Sequence, residues 1–163
     1  MARPRSSSPS ASPATGPYLQ TAVVCERVLN EQDGVLSLIR IVDRIVQSAV
    51  GPDPPEEMPP VSINLSMVVV LKSGEARGSH PVYIALEAPS GQEMGEQQLQ
   101  VLLEGEGDRG VNLVVNLAFQ AEMPGLYWFS TYFGDDRILL TRTPLRVVYQ
   151  PQRIGVGPSS PAA

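Results

Sequence analysis

Apolar and polar residues alternate along most of the chain, and this alternation predicts β-strands rather than helices. The clearest case is 111–120, where every second side chain is apolar and amide side chains occupy most positions between. Two segments nearer the N-terminus, 18–30 and 35–47, are dense in β-branched residues, which favour strands. Asp33-Gly34 lies between them. Because both residues tolerate the positive φ of a tight turn, the pair predicts a hairpin.

The same criteria predict eight strands, which are 18–30, 35–47, 61–72, 80–88, 97–103, 111–120, 126–133 and 137–150. The segment 49–60 is rich in proline, which lacks the N–H that a sheet requires, so it is expected to be a loop. Pro144 interrupts the last strand and predicts an edge position or a change of sheet there. The expected fold is all-β, a two-sheet antiparallel β-sandwich of about eight strands (Ig-like), with a closed barrel as the alternative.

The two ends of the chain depart from this pattern. Residues 1–17 are mostly Ser, Pro and Ala, and residues 151–163 are rich in Gly and Pro. Neither segment carries enough apolar surface to offset the entropy of ordering it. We therefore predict a disordered N-terminal tail at 1–17, one β-sandwich domain at 18–150, and a disordered C-terminal tail at 151–163.

Composition narrows the classes of partner. The formal net charge of −5 over 163 residues disfavours nucleic acid and anionic membranes as partners. No apolar run approaches the length of a membrane span, and 6–17 lacks the apolar segment of a signal peptide. We expect a cytoplasmic protein. Arginine dominates the basic residues, with Lys72 the single lysine, and this bias together with abundant Ala, Gly and Pro is typical of a GC-rich bacterial genome.

Residues suited to catalysis are few. Cys25 is the single cysteine and His80 the single histidine, and nothing in their spacing joins them into a nucleophile–base pair. A small buried side chain for Cys25 and a surface position for His80 are the expected roles. The glycine-rich segment 105–110 precedes no helix, so it lacks the backbone donors of a phosphate site. We expect no enzymatic activity and no cofactor.

Acidic side chains concentrate in the turns. If consecutive strands are antiparallel, the turns after the first, third, fifth and seventh strands meet at one end. Carboxylates gathered there would suit Ca²⁺, which takes six to eight oxygen ligands. The candidate ligands are Glu104, Glu106, Asp108, Asp135 and Asp136, with Glu31, Asp33 and Glu75 in the same set of turns. Solvated turn residues are the simpler interpretation.

Arginines lie within the strands, where they suit a contact with another protein. Arg40 and Arg44 are four residues apart, as are Arg142 and Arg146, so each pair is expected on one face of one strand. Trp128, expected to point outward, is the candidate anchor for a partner. These five residues form the predicted partner surface, for another protein or for a homo-oligomer. Pairing of the arginines with neighbouring acids such as Glu26 or Asp43 is the alternative.

Several of these motifs together resemble an uncharacterised bacterial domain family. The segments concerned are Val24-Cys25-Glu26-Arg27, Gly34-Val35-Leu36-Ser37-Leu38-Ile39-Arg40-Ile41-Val42-Asp43-Arg44-Ile45, Gly110-Val111-Asn112, Pro124-Gly125-Leu126-Tyr127 and 139–148. They are strand and turn motifs without a catalytic signature. The resemblance covers about 18–150 and implies a bacterial origin and a single β-rich domain, with no activity attached to it.

Overall fold

The computed structural model describes residues 15–155, which form nine strands and no helix. The strands are β1 (Tyr18–Asn30), β2 (Leu36–Ile41), β3 (Arg44–Gly51), β4 (Val61–Lys72), β5 (Arg77–Glu87), β6 (Glu93–Glu104), β7 (Gly110–Ala121), β8 (Gly125–Phe133) and β9 (Ile138–Arg153). Accordingly, no helix in this part of the chain is long and apolar enough to cross a membrane.

The strands form two sheets. The four-stranded sheet has the order β2-β1-β4-β7 and the five-stranded sheet the order β3-β9-β8-β5-β6. Alternation along each strand places one set of side chains between the sheets, where Met67 and Val69 of the first sheet meet Val82 and Leu145 of the second. The all-β two-sheet sandwich is therefore confirmed.

The start of β8 carries a feature typical of immunoglobulin-like sandwiches. The Tyr127 side chain is buried, and its hydroxyl donates to the carbonyl oxygen of Met123 at 2.8 Å. Such a bond from an early residue of the strand to the preceding corner is a tyrosine corner. It fixes how the chain passes from β7 in one sheet to β8 in the other.

The first hairpin forms where Asp33-Gly34 predicts it. Gly34 has a φ of +81°, and its N–H donates to the carbonyl oxygen of Glu31 at 2.9 Å. The strands 18–30 and 61–72 also have the predicted bounds.

The prediction of one strand over 35–47 is wrong. The strand breaks at Val42-Asp43, so that β2 joins the four-stranded sheet and β3 the five-stranded one. The backbone N–H of Val42 still donates to the carbonyl of Val24, whereas the carbonyl of Asp43 accepts from Arg146 in the other sheet. Apolar content alone favours a continuous strand, and the break follows from contacts with two distant partners.

The antiparallel rule also has one exception. β3 pairs with β9 in parallel, from Arg44 beside Arg146 to Gly51 beside Arg153. Because of this pairing β9 continues to Arg153, so residues 151–153, predicted as part of a disordered tail, belong to a strand. Residues 15–17 and 154–155 of the predicted tails are described and belong to no strand, and residues 1–14 and 156–163 lie outside the described residues.

Pro144 occupies a position that suits its missing donor. β9 lies inside the five-stranded sheet, between β3 and β8, and remains in that sheet throughout. However, β3 begins to pair with β9 only at Arg146. At Pro144 the strand thus has β8 alone as its neighbour, which is the local equivalent of the predicted edge.

Candidate functional site

Four of the five predicted partner residues meet on the outer surface of the five-stranded sheet. Leu145 and Val147 of β9 are buried between the sheets, so the alternating residues Arg142 and Arg146 point outward. In β8 the buried Tyr127 and Phe129 place Trp128 on the same outer side. Arg44, at the start of β3, lies beside Arg146. We call this set, Arg44, Trp128, Arg142 and Arg146, the Trp–Arg face.

Arg142 is held in place by three contacts. Its guanidinium lies over the Trp128 ring, 4.7 Å from the ring centroid. The Nη2 atom donates to Glu87 Oε1 at 3.1 Å, and Nε donates to Ser130 Oγ at 3.2 Å. These contacts fix both the arginine and the indole before any partner arrives, which lowers the entropic cost of binding.

Arg44 and Arg146 are adjacent like charges. They are register partners on parallel strands, and both are exposed. Among the described residues neither guanidinium has a carboxylate within ion-pair distance. Like charges placed side by side on a sheet repel each other, so this end of the Trp–Arg face offers two guanidinium groups to an external anion.

A second arginine–aromatic cluster extends the same outer surface and was missed from the sequence. Arg137 lies over the rings of Tyr83 and Tyr132, at 4.3 and 5.3 Å from their centroids, and forms an ion pair with Glu96. The Glu96 carboxylate raises the pKa of Arg137. Alternation does place both tyrosines outward, but their meeting depends on the pairing of β5 with β8.

Arg40 does not belong to this surface, contrary to the expectation that it shares a strand face with Arg44. It lies in β2 of the other sheet, on the far side of the break at Val42-Asp43. Its φ is +52°, and its Nη1 lies 3.1 Å from Glu26 Oε1. The alternative interpretation, pairing with a neighbouring acid, therefore describes Arg40.

Residues 20–148 match the model of a protein family whose function is unknown. The chain belongs to DUF6941. The predicted resemblance to an uncharacterised domain family is thus confirmed. A search of curated proteins gives no match to the chain. The matched range of this DUF6941 domain contains the whole Trp–Arg face and the tyrosine corner.

The acidic turns after β4, β6 and β8 lie at one end of the DUF6941 domain, where the Ser73 N–H donates to the Arg109 carbonyl oxygen, but the turn after β1 does not. β1 runs antiparallel to β4, with Tyr18 beside Lys72, so the turn holding Glu31 and Asp33 lies at the opposite end from the turn after β4. Both turns were expected at one end because each strand was expected to run opposite to the strand before it. In the structure β4 pairs with β1, so β4 runs opposite to β1 and the turns that follow these two strands lie at opposite ends.

The other candidate calcium ligands are either paired with an arginine or lie in separate turns. Arg109 Nη1 contacts Glu104 Oε2 at 2.7 Å, and Arg109 Nε contacts Glu106 Oε2 at 2.9 Å. The same Glu104 carboxylate raises the pKa of Arg109. Asp108 lies in this turn. Asp135 and Asp136 follow β8 at the same end of the sheet, but β8 pairs with β5 only as far as Val82, whereas β6 reaches Arg77. Within residues 15–155 no group of three or more His, Cys, Asp or Glu could hold a metal ion.

Cys25 and His80 are placed in different sheets of the DUF6941 domain. Cys25 is fully buried in β1, its Sγ is 3.6 Å from the carbonyl oxygen of Arg27, and burial raises the pKa of its thiol. His80 lies in β5, with Nε2 at 2.7 Å from the carbonyl oxygen of Arg77 and its ring 5.0 Å from that of Phe133. Because Cys25 and His80 lie in different sheets and contact different carbonyl groups, they do not form a nucleophile–base pair.

Proposed function

We propose that this DUF6941 domain is a non-enzymatic interaction module whose Trp–Arg face binds an acidic surface of another protein. The observation that carries the proposal is the adjacent pair Arg44 and Arg146, exposed beside Trp128 and without a carboxylate partner among the described residues. We place this activity in the bacterial cytoplasm, and we expect neither nucleic acid nor membrane as the partner.

Electrostatics favours an acidic partner. A carboxylate entering between Arg44 and Arg146 would remove their mutual repulsion and gain charge-assisted hydrogen bonds, since a guanidinium matches a carboxylate with two parallel donors. Such complementarity also suppresses wrong partners and speeds association. The free domain therefore carries an unfavourable contact that binding would relieve.

Trp128 supplies the apolar part of the same surface. The indole is half-buried, with Pro144 and Glu87 as its register neighbours and Arg142 against its ring. Tryptophan and arginine are the residues most enriched among those that dominate binding energy at protein interfaces. A ring already held by Arg142 loses little freedom when a partner covers it.

Charge reversal at Arg44 separates binding from stability. In an Arg44→Glu variant the new carboxylate would face Arg146, so the isolated domain should be slightly more stable than the wild type. The same change removes one guanidinium from the Trp–Arg face and places a negative charge opposite an acidic partner. We expect binding to weaken at least about tenfold while the melting temperature holds or rises.

The experiment is a quantitative affinity capture from the host cell with tagged wild type, Arg44→Glu, Trp128→Ala and Arg40→Ala. Each recovered protein is then purified and titrated against all four variants. The proposal expects one partner that binds wild type and Arg40→Ala equally and is lost with the other two. A partner bound equally by all four variants, or none bound by the wild type, would overturn it.

A further inference from the structure

The free edge of β7 differs from the other sheet edges. β7 pairs with β4 over its whole length, from Gly110 beside Lys72 to Ala121 beside Val61, and ends the four-stranded sheet. Its twelve residues include no charge and no proline, and its pairing with β4 has no register shift. Proteins usually protect a long edge strand with a charge, a proline or a bulge, because its unpaired backbone groups can bind another strand.

The remaining edges carry such protection. β6 has Glu93 and Glu96 at one end, and a register shift lies in its pairing with β5. β2 has only six residues and includes Arg40. β3 begins at Arg44 and is followed by the proline-rich segment 52–60. Among the described edge strands, β7 is therefore the long one that has no charge, proline or bulge to prevent pairing with a second strand.

The backbone groups that face the free edge can be assigned from one contact. Gln97 of β6 donates its Nε2 to the carbonyl oxygen of Asn116 at 3.1 Å, so the Asn116 carbonyl points away from β4. Residues along a strand alternate in the side toward which their N–H and C=O point. The groups available at this edge are therefore those of Asn112, Val114, Asn116, Ala118 and Gln120.

The polarity of these five side chains is symmetric about Asn116. Polar and apolar side chains follow one another as Asn, Val, Asn, Ala, Gln. The order matters because a twofold interface pairs residue i with j and j with i. An antiparallel partner centred on Asn116 would place Asn112 opposite Gln120, Val114 opposite Ala118, and Asn116 opposite Asn116. Every opposed pair is then polar with polar or apolar with apolar.

We propose that β7 pairs with β7 of a second copy of this chain, antiparallel and with the twofold axis at Asn116. The two four-stranded sheets then become one continuous sheet across the dimer. Ser66 and Val68 of β4 lie beside Asn116 and Val114. Glu26, whose carboxylate is paired with Arg40, is the charged residue that lines the same surface pocket as Asn116 and Ala118. Val114, which is 43% exposed, is covered by the partner's Ala118. This inference does not depend on the Trp–Arg face, which lies on the other sheet.

Gln97 acts as a replaceable cap in this arrangement. Gln97 Nε2 donates to the Asn116 carbonyl oxygen, which is the acceptor that the N–H of the partner's Asn116 requires. The Gln97 side chain therefore moves away when the dimer forms. A Gln97→Ala variant lacks this competing donor and should dimerise more tightly than the wild type. Gln97 is exposed, so the substitution leaves the core unchanged.

A charge-swap pair tests the register. In Asn112→Lys/Gln120→Glu, each lysine faces a glutamate of the other copy, and the dimer should persist. In Asn112→Lys/Gln120→Lys, two pairs of like charges face each other, and dimerisation should weaken roughly tenfold. Positions 112 and 120 are about 26 Å apart within one strand, so neither result reflects an attraction inside one copy.

Sedimentation equilibrium of the full chain from about 1 µM to 1 mM measures the dimer constant of each variant. Ser48→Lys, an exposed change on β3 of the five-stranded sheet, is the matched control and should behave as the wild type. A wild type that is monomeric at every concentration would overturn the proposal. So would equal dimerisation of the two doubly substituted variants, because the opposed pairs would then not include 112 and 120.

Trp128→Ala separates this inference from the proposed function. The variant should keep the dimer and lose the acidic partner, whereas Asn112→Lys/Gln120→Lys should lose the dimer and keep the partner. A dimer that dissociates on the Trp128 substitution would place the contact between copies on the five-stranded sheet and would contradict pairing through β7.

Discussion

At the residue scale, Tyr127 joins the two halves of the sandwich. Its ring packs against Phe119 of β7, with centroids 5.5 Å apart, while its hydroxyl donates to the Met123 carbonyl in the corner before β8. One side chain thus fixes both the packing of the core and the path of the chain between the sheets.

Tyr127→Phe removes the hydroxyl and keeps the ring. We expect a loss of about 1 kcal/mol in the free energy of unfolding, measured by urea denaturation, because one buried donor–acceptor pair disappears. Tyr149→Phe is the matched control, since its hydroxyl donates to the Pro55 carbonyl at 2.6 Å in an exposed position. Water can replace that bond, so the control should lose less. Equal losses would contradict a special role for the corner.

Cys25 gives a prediction for the dependence of stability on pH. Burial raises the pKa of its thiol above the ordinary value of 9.0. A group whose pKa is higher in the folded state contributes stability that is complete below its unfolded pKa and is lost as the pH rises through its folded pKa. Between pH 7 and pH 10 the wild type should therefore lose more unfolding free energy than Cys25→Ala. Parallel curves for the two proteins would contradict this.

At the element scale, the first and last hairpins, β1–β2 and β8–β9, differ in how far the local sequence determines the conformation of the turn. The β1–β2 turn follows from Asp33-Gly34, and the Val35 N–H donates to the Asp33 carboxylate at 3.1 Å. The β8–β9 turn likewise follows from Gly134, whose φ is +76°, but Arg137 at its end takes a φ of +51°. Its contacts with Tyr83 and Glu96 hold it there.

Gly34→Ala should destabilise the first hairpin by about 1 kcal/mol. An added methyl group meets no atom within 4 Å at this position, so the cost comes from the positive φ alone. Gly107→Ala is the control, because that glycine has equally open surroundings without a positive φ. Thermal unfolding of both variants checks the prediction, which fails if the two melting temperatures fall equally.

At the scale of the whole molecule, two buried apolar clusters hold both sheets together. Phe129 of the five-stranded sheet is buried and meets Phe119 of the four-stranded sheet edge to face, with centroids 6.0 Å apart. Met58, from the proline-rich segment between β3 and β4, enters a second buried cluster with Tyr127 and Val147. A segment that the sequence marks only as a loop thus contributes to the core.

Phe129→Ala should cost about 3 to 5 kcal/mol of unfolding free energy, because it leaves a large cavity between the sheets. Leu102→Ala, at a side chain that is 67% exposed, should change stability by less than about 0.5 kcal/mol. Urea unfolding followed by far-UV circular dichroism measures both. A small loss for Phe129→Ala would mean that the two sheets do not pack together at this residue.

Placement of the site residues was predictable only in part. Alternation along β8 and β9 put Trp128, Arg142 and Arg146 on one outer surface, because period two acts within a single strand. The position of Arg44 beside Arg146 required the parallel pairing of β3 with β9, between segments about a hundred residues apart. No pattern within either segment carries that information, and the same limit led to the wrong grouping of Arg40 with Arg44.

By itself, the sequence determined the all-β class, the bounds of strands such as β1 and β4, and the first hairpin, since these depend on periodicity and turn chemistry between near neighbours. Tertiary structure decided the break at Val42-Asp43, the extension of β9 to Arg153 and the position of the Glu31–Asp33 turn at the opposite end from the other acidic turns. Each of these depends on which distant strand supplies the hydrogen bonds and apolar contacts. That choice is made by the free energy of the whole sandwich rather than by local preference.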